Sequence, residues 1–236
     1  MILGAHQPAY IPWSGFIHKI LSSEIFVILD NIQFEKNSFI NRNHLLINNE
    51  PKLLTVPIEI KNHLQLKIKD IKISNQTNWR RKHLQSIHLN YNRSPFYKKH
   101  ISFFENIYNK KWSHVCEINS EILNYILEDI KSDTKIIKLS ELEVEGKKTQ
   151  LLVNLCKKLD CNYFLFGNNG IDYADLDLGK KENIKFLYQE FNNKNFYNYQ
   201  NFKFKGNISV LDLLFKMESS SIKEYILLHG KVLNLV

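Results

Sequence analysis

Apolar residues along this chain come in two rhythms, short solid runs and runs at helical spacing. Residues 2–5 form a solid run that ends on His6-Gln7-Pro8, the pattern of a buried strand closed by a proline turn. Ser14 is placed to cap a helix to about Leu21, because Phe16, Ile17, Ile20 and Leu21 recur at helical spacing. A second solid run, residues 25–29, ends on Asp30. Strand, loop, helix, strand is the unit that builds parallel sheets, and each strand here leaves a polar residue at its carboxyl end. In open α/β sheets that edge is where ligands bind.

Beyond Asp30 the pattern turns β-rich. Residues 39–47 and 52–58 read as a hairpin around the polar turn Asn48-Asn49-Glu50-Pro51. Residues 64–74 alternate Leu64, Leu66 and Ile68 with polar positions, then shift phase at Asp70-Ile71, which predicts a strand with a bulge or bend. A small antiparallel insertion over about 32–74 is therefore expected. From Asn78 the period is helical, with Trp79, His83, Ile87 and Tyr91 four residues apart. Ser94-Pro95 ends that helix and is suited to start another, and a third, near 117–131, carries the stripe Ile118, Ile122, Ile126, Ile130. The helical segment thus spans about 78–131. Strand and helix then alternate again, with strands at 135–139, 162–167 and 184–188, helices at 146–159 and 210–217, and a helical tail at 221–228. The sum is an α/β fold with a doubly wound, mostly parallel sheet of about five strands, read as a single domain over residues 1–236.

Composition narrows the partners. No window approaches the roughly 18 apolar residues of a membrane span. The amino terminus lacks a basic region followed by an apolar stretch and cleavage site, so the expected compartment is the cytoplasm. The 32 Lys and Arg against 24 acidic residues give a net charge of +8, which favours anionic ligands. The lysines are scattered, so nucleic acid ranks below small phosphorylated ligands. Three cysteines, Cys116, Cys156 and Cys161, have neither paired nor zinc-finger spacing, which predicts reduced thiols and no structural zinc.

Candidate chemistry concentrates at strand ends. His6 offers a general base and Gln7 an amide donor that brings no charge. A lone histidine at a strand end is otherwise bonded to a backbone carbonyl. Asp30 is placed to orient His6, hold an amine or bind a ribose hydroxyl, and equally to form a turn with Asn31. Arg42 has the planar fork suited to phosphate or carboxylate, while Asn41 and Asn43 belong to the opposite strand face. Trp79 and His83 lie one helical turn apart, a spacing that is more often core. Gly167 and Gly170, flanking Asn168, follow a strand and would let backbone amides approach an anion. Tyr173, Tyr197, Tyr199 and Gln200 suit an aromatic and amide wall for a sugar or base, and equally the packing of a loop. His83 and His88 do not match a helical zinc pair, and no metal is expected.

The run His6-Gln7-Pro8-x-Tyr10-x-Pro12-Trp13-x-Gly15-Phe16-x-x-Lys19, followed by Phe26-Val27-x-Leu29-Asp30 and Gln33-Phe34, resembles the signature of the WbqC-like family. The likeness continues through Asn41-Arg42-Asn43, Leu54-Thr55-Val56-Pro57, Trp79-Arg80-Arg81-Lys82-His83 and the segments 91–97, 163–173 and 209–215. Phe166 departs from it, since family members tend to carry a serine there. The resemblance implies a place among bacterial gene clusters that build surface polysaccharides, including O-antigen. It also implies substrate contacts from Tyr10, Trp13, Lys19, Gln33, Arg42, Asn43 and Trp79, and a second catalytic histidine at His83. The expected activity is transfer of an acyl or aminoacyl group to the amine of a nucleotide-linked sugar, with acyl-CoA, a charged tRNA or ATP plus a carboxylate as donor. The alternatives are a noncatalytic nucleotide-sugar or partner-binding module and a hydrolase of the same sugars. The opening is also similar to that of pantothenate synthetase and other nucleotidyltransferase-like enzymes, whose paired HxGH is absent here.

Overall fold

Two solid apolar runs side by side need cover on both faces, and the fold supplies it. The computed structural model describes residues 1–48, 50–59, 63–167, 170, 174–191 and 207–235. In chain order the elements are β1 (Ile2–His6), α1 (Ser14–Leu21), β2 (Ile25–Ile28), β3 (Arg42–Ile47), β4 (Glu50–Thr55), α2 (Trp79–Tyr91), α3 (Tyr97–Asn109) and α4 (Val115–Asp129). Then come β5 (Lys135–Lys138), α5 (Lys148–Lys158), β6 (Tyr163–Phe166), α6 (Leu176–Lys181), β7 (Lys185–Phe191), α7 (Leu211–Lys216), α8 (Ser219–Leu228) and β8 (Gly230–Asn234).

The main sheet has six strands in the order β5-β2-β1-β6-β7-β8, and β3-β4 forms a separate two-stranded antiparallel sheet. All pairings from β5 to β7 are parallel, and only β8 runs against its neighbour. Alternation along β2 shows the layering. Phe26 and Ile28 enter a core shared with α1 to α4, whereas Ile25 and Val27 enter a second core with Leu152 and Leu155 of α5 and Phe164 of β6. A parallel sheet buried on both faces is what near-continuous apolar strands require.

From β1 the chain builds outward through β2 to β5, then returns to the other side of β1 for β6 and β7. The direction of winding therefore reverses between β1 and β6. At such a switch point the loops diverge and open a crevice beyond the carboxyl ends of the strands.

Several local expectations are corrected. Residues 64–74 are not a bulged strand. They form single turns of 3₁₀ helix at His63–Gln65 and Ile68–Asp70 and touch the rest of the fold through isolated bridges, Gln33 to Lys67 and Ile58 to Ile73. The phase shift at Asp70-Ile71 is the end of the second turn, which buries Ile68, Ile71 and Ile73 together. Trp13, not Ser14, occupies the N-cap of α1, and Ser14 is its buried first residue. The second helix of the helical segment begins at Tyr97, not at Pro95, after a turn in which the Tyr97 amide donates to the Ser94 carbonyl at 3.1 Å. The stripe Ile118, Ile122, Ile126 and Ile130 is buried as expected. So are Cys156 and Cys161, while Cys116 is half-buried; all three thiols are free. No described helix is long and apolar enough to cross a membrane.

Candidate functional site

The site begins where β1 stops. The Leu29 amide donates to the His6 carbonyl at 2.8 Å, the last rung between β1 and β2. The chain then leaves the sheet through residues 7–13 and turns into α1, which brings Gly15, Phe16 and Lys19 back beneath the strand end. A cleft of about 590 Å³ opens there, at the switch point, with His6 and Gln7 on one side and Phe166, Gly167 and Gly170 from the end of β6 on the other. Gln189 and Phe191 of β7 close it. Of the residues singled out in the sequence, the fold gathers His6, Gln7, Trp13, Lys19, Gly167 and Gly170 around this cleft.

His6 has a defined tautomer. Its Nδ1 lies 2.8 Å from the Gln7 carbonyl oxygen. A carbonyl only accepts, so Nδ1 carries the hydrogen and Nε2 is the basic nitrogen. The ring meets Trp13 and Phe16 edge-on, at centroid distances of 5.4 and 5.2 Å. Burial, with the Lys19 ammonium nearby, lowers its pKa to about 4, against the smaller upward pull of the Gln7 carbonyl. His6 is therefore neutral near pH 7.

Lys19 is only 5% exposed. Its Nζ donates to the Ala5 carbonyl at 2.7 Å and stands 5.8 Å from the centre of the Phe164 ring. Loss of hydration lowers its pKa to about 7. Across the cleft the Gly170 amide donates to the Gly167 carbonyl at 2.8 Å. A Cβ at Gly170 would stand 2.7 Å from Cδ1 of Phe166, so glycine lets that turn close over the ring.

The other candidates lie elsewhere. Asp30 is buried and its carboxylate accepts from the Ser140 amide at 2.9 Å and the Ser140 hydroxyl at 2.6 Å. It fastens the end of β2 to the turn after β5, and the Gln7 carbonyl takes the orienting place beside His6. Tyr10 and His83 belong to a buried cluster, where the Tyr10 hydroxyl is bonded to His83 Nδ1 at 2.7 Å and to the Tyr108 hydroxyl at 2.6 Å. Trp79 packs edge-on against His83 in the same cluster. Asn43 donates to the Ile11 carbonyl at 2.9 Å and accepts from the His44 amide at 2.8 Å, so it braces the loop behind the cleft. Arg42 is half-buried at the start of β3, opposite Thr55. Gln33 donates to the Leu64 carbonyl at 2.8 Å. Asn168, Tyr173, Tyr197, Tyr199 and Gln200 lie outside the described residues. No group of three His, Cys, Asp or Glu among the described residues is arranged to hold a metal.

Residues 7–224 match the WbqC-like protein family. The chain belongs to that family. One relative, described as uncharacterized protein Rv1507c of Mycobacterium tuberculosis (strain ATCC 25618 / H37Rv), is 25% identical over 212 residues, 89% of this chain and 91% of its own length. No solved structure matches. In this WbqC-like chain the opening motif thus divides by position. His6, Gln7, Trp13 and Lys19 face the cleft, and Tyr10 faces the core.

Gln189 was not among the residues singled out. Its Nε2 donates to the Gly15 carbonyl at 2.7 Å and to His18 Nδ1 at 2.8 Å, which fixes the first turn of α1 over the cleft. A glutamine inside the apolar strand run Lys185–Phe191 is the signal that could have found it, since a buried amide needs partners.

Proposed function

We propose that this WbqC-like protein is a transferase that forms an amide on the amine of a nucleotide-activated amino sugar during bacterial surface-polysaccharide biosynthesis. The observation that carries the reading is His6, with its tautomer set by the Gln7 carbonyl, at the mouth of the switch-point cleft. Such crevices receive nucleotide phosphates in open α/β sheets. A volume of about 590 Å³ suits one sugar nucleotide.

In this reading the sugar amine attacks the donor carbonyl. A C–N bond forms, the bond to the donor's leaving group breaks, and the proton lost by nitrogen passes to His6 Nε2 and on to the leaving group. The Gln7 amide steadies the carbonyl oxygen as negative charge develops on it. A base with a pKa of about 4 is weak by itself, and an anionic substrate beside it raises its basicity. Asp30 acts at one remove, by holding the loop with Ser140. Arg42, at the edge of the hairpin, would reach only an extended part of the substrate.

The test incubates purified protein with nucleotide-linked amino sugars and each donor class in turn, read by mass spectrometry. A gain of the acyl mass supports transfer. Loss of an acyl group with water alone indicates a hydrolase, and retention without reaction a binding module. His6→Ala should lower kcat by about 10²- to 10⁴-fold with little change in sugar-nucleotide affinity.

A further inference from the structure

Lysine is rarely buried unless paired, and among the described residues Lys19 has no ion-pair partner. Among the described residues the lysines in ion pairs are Lys99, Lys157, Lys216 and Lys223. Lys19 has one hydrogen bond, to a neutral carbonyl, and one aromatic ring. The last turn of α1, where it sits, adds only partial negative charge. A lone ammonium in such a place is costly, and the cost is the reason its proton is loosely held.

The surroundings point to what would settle it. Lys19 lines the cleft instead of being sealed behind it, and among the described residues two titratable groups line the cleft with it: His6 at the end of β1 and Glu35 beyond β2. Glu35 is exposed and His6 is neutral, so neither neutralises the lysine. The walls from β6, α5 and β7 supply Phe164, Leu152 and Gln189, which carry no charge. Opposite stands Gly167, with open space where a side chain would be. Among the described residues the cleft therefore offers one buried cation, a hydrogen-bonding edge and room, and its one carboxylate, on the exposed Glu35, forms no ion pair with that cation.

We propose that a phosphoryl group of a nucleoside-diphosphate ligand supplies the counter-charge of Lys19, and that its binding draws a proton onto that lysine. The inference rests on the same cleft being the substrate site, and it places the diphosphate at the floor of the cleft under α1, not at Arg42. The anion binds the protonated amine. Affinity is therefore full below the free pKa of about 7 and falls as pH rises above it, close to tenfold per unit until the bound pKa is reached.

The probe is UDP, whose diphosphate is fully ionised at pH 8. Calorimetric titration of the intact protein at pH 8, in two buffers of different ionisation enthalpy, should show uptake approaching about 0.9 proton per UDP bound. Lys19→Met, of similar length and without charge, should bind UDP about 10- to 100-fold more weakly and take up no proton. A melting curve shows that the variant is folded, and the wild-type proton count stands without it. Binding without uptake, equal affinity in Lys19→Met, or no binding of UDP overturns the proposal. UDP brings neither amine nor acyl donor, so a failed transfer assay leaves this result standing and a failed Lys19 result leaves transfer standing.

Discussion

Ile11 has a φ of +36°, a region that β-branched residues avoid, and it is fully buried in the loop between β1 and α1. What holds it is Asn43, whose Nδ2 donates to the Ile11 carbonyl and whose Oδ1 takes the His44 amide. Asn43→Ala should lower unfolding free energy by about 1–3 kcal/mol, because two buried backbone groups lose their partner. Urea denaturation measures the loss, and turnover should fall with it as the His6 loop relaxes. The alternation around Arg42 was legible, since Asn41 and Asn43 are buried and Arg42 half-buried, as a strand's period of two requires. The duty of Asn43 was not, because which carbonyl lies opposite a buried amide is settled by a segment more than thirty residues away. His83 shows the same limit of local pattern. Its helical spacing placed it on the inner stripe of α2, but its bond to Tyr10 joins positions 73 apart and turns a candidate base into part of the core.

At the scale of elements, α1 is fixed from two directions, by its apolar face against the helical core and by its contact with the far edge of the sheet. Gln189 of β7 holds Gly15 and His18, and His18 also has a backbone hydrogen bond with Gly230 at the start of β8. A Cβ on Gly230 would stand 2.2 Å from His18 Nε2. Gly230→Ala should therefore push His18 from its place and destabilise the protein by about 1–3 kcal/mol, the usual cost of overpacking. Hydrogen exchange should show faster opening of β8 and of the first turn of α1, while α4, which lies away from the contact, keeps its protection. β1, β2 and β6 were legible because burial on both faces makes them solid apolar runs, and β5 and β7 from the alternation of strand and helix. Two elements were not. β8 has only Gly230 and Leu233 half-buried in an otherwise exposed strand, and α6 is six residues long, too short for a helical period to register. Residues 64–74 misled for a related reason, since an alternating stretch reads as a strand whether or not a neighbour is there to pair with it.

Across the whole molecule, burial on both sides of one sheet leaves several ionisable groups with less water than their charged forms need. Burial lowers the pKa of His18 and His83, like that of His6, from the ordinary 6.5 to about 4. Between those values the unfolded chain binds protons that the folded protein refuses, so stability falls as pH drops from about 6.5 to about 4, by about 1.4 kcal/mol per pH unit for each histidine once the unfolded form is fully protonated. Lys19 extends the trend upward. Its folded pKa of about 7 lies below the ordinary 10.5, so the unfolded chain again binds the extra proton, and stability climbs from about pH 7 toward 10.5. Melting temperatures from pH 4 to 9 should thus rise with two separable parts. His83→Gln should flatten the acid part. Lys19→Met should raise the melting temperature at pH 7 by several degrees and leave little further rise above it. A wild-type curve that stays level between pH 6.5 and 4.5 would mean that these histidines reach water in the folded state. The sealed core around His83 would then have to be given up.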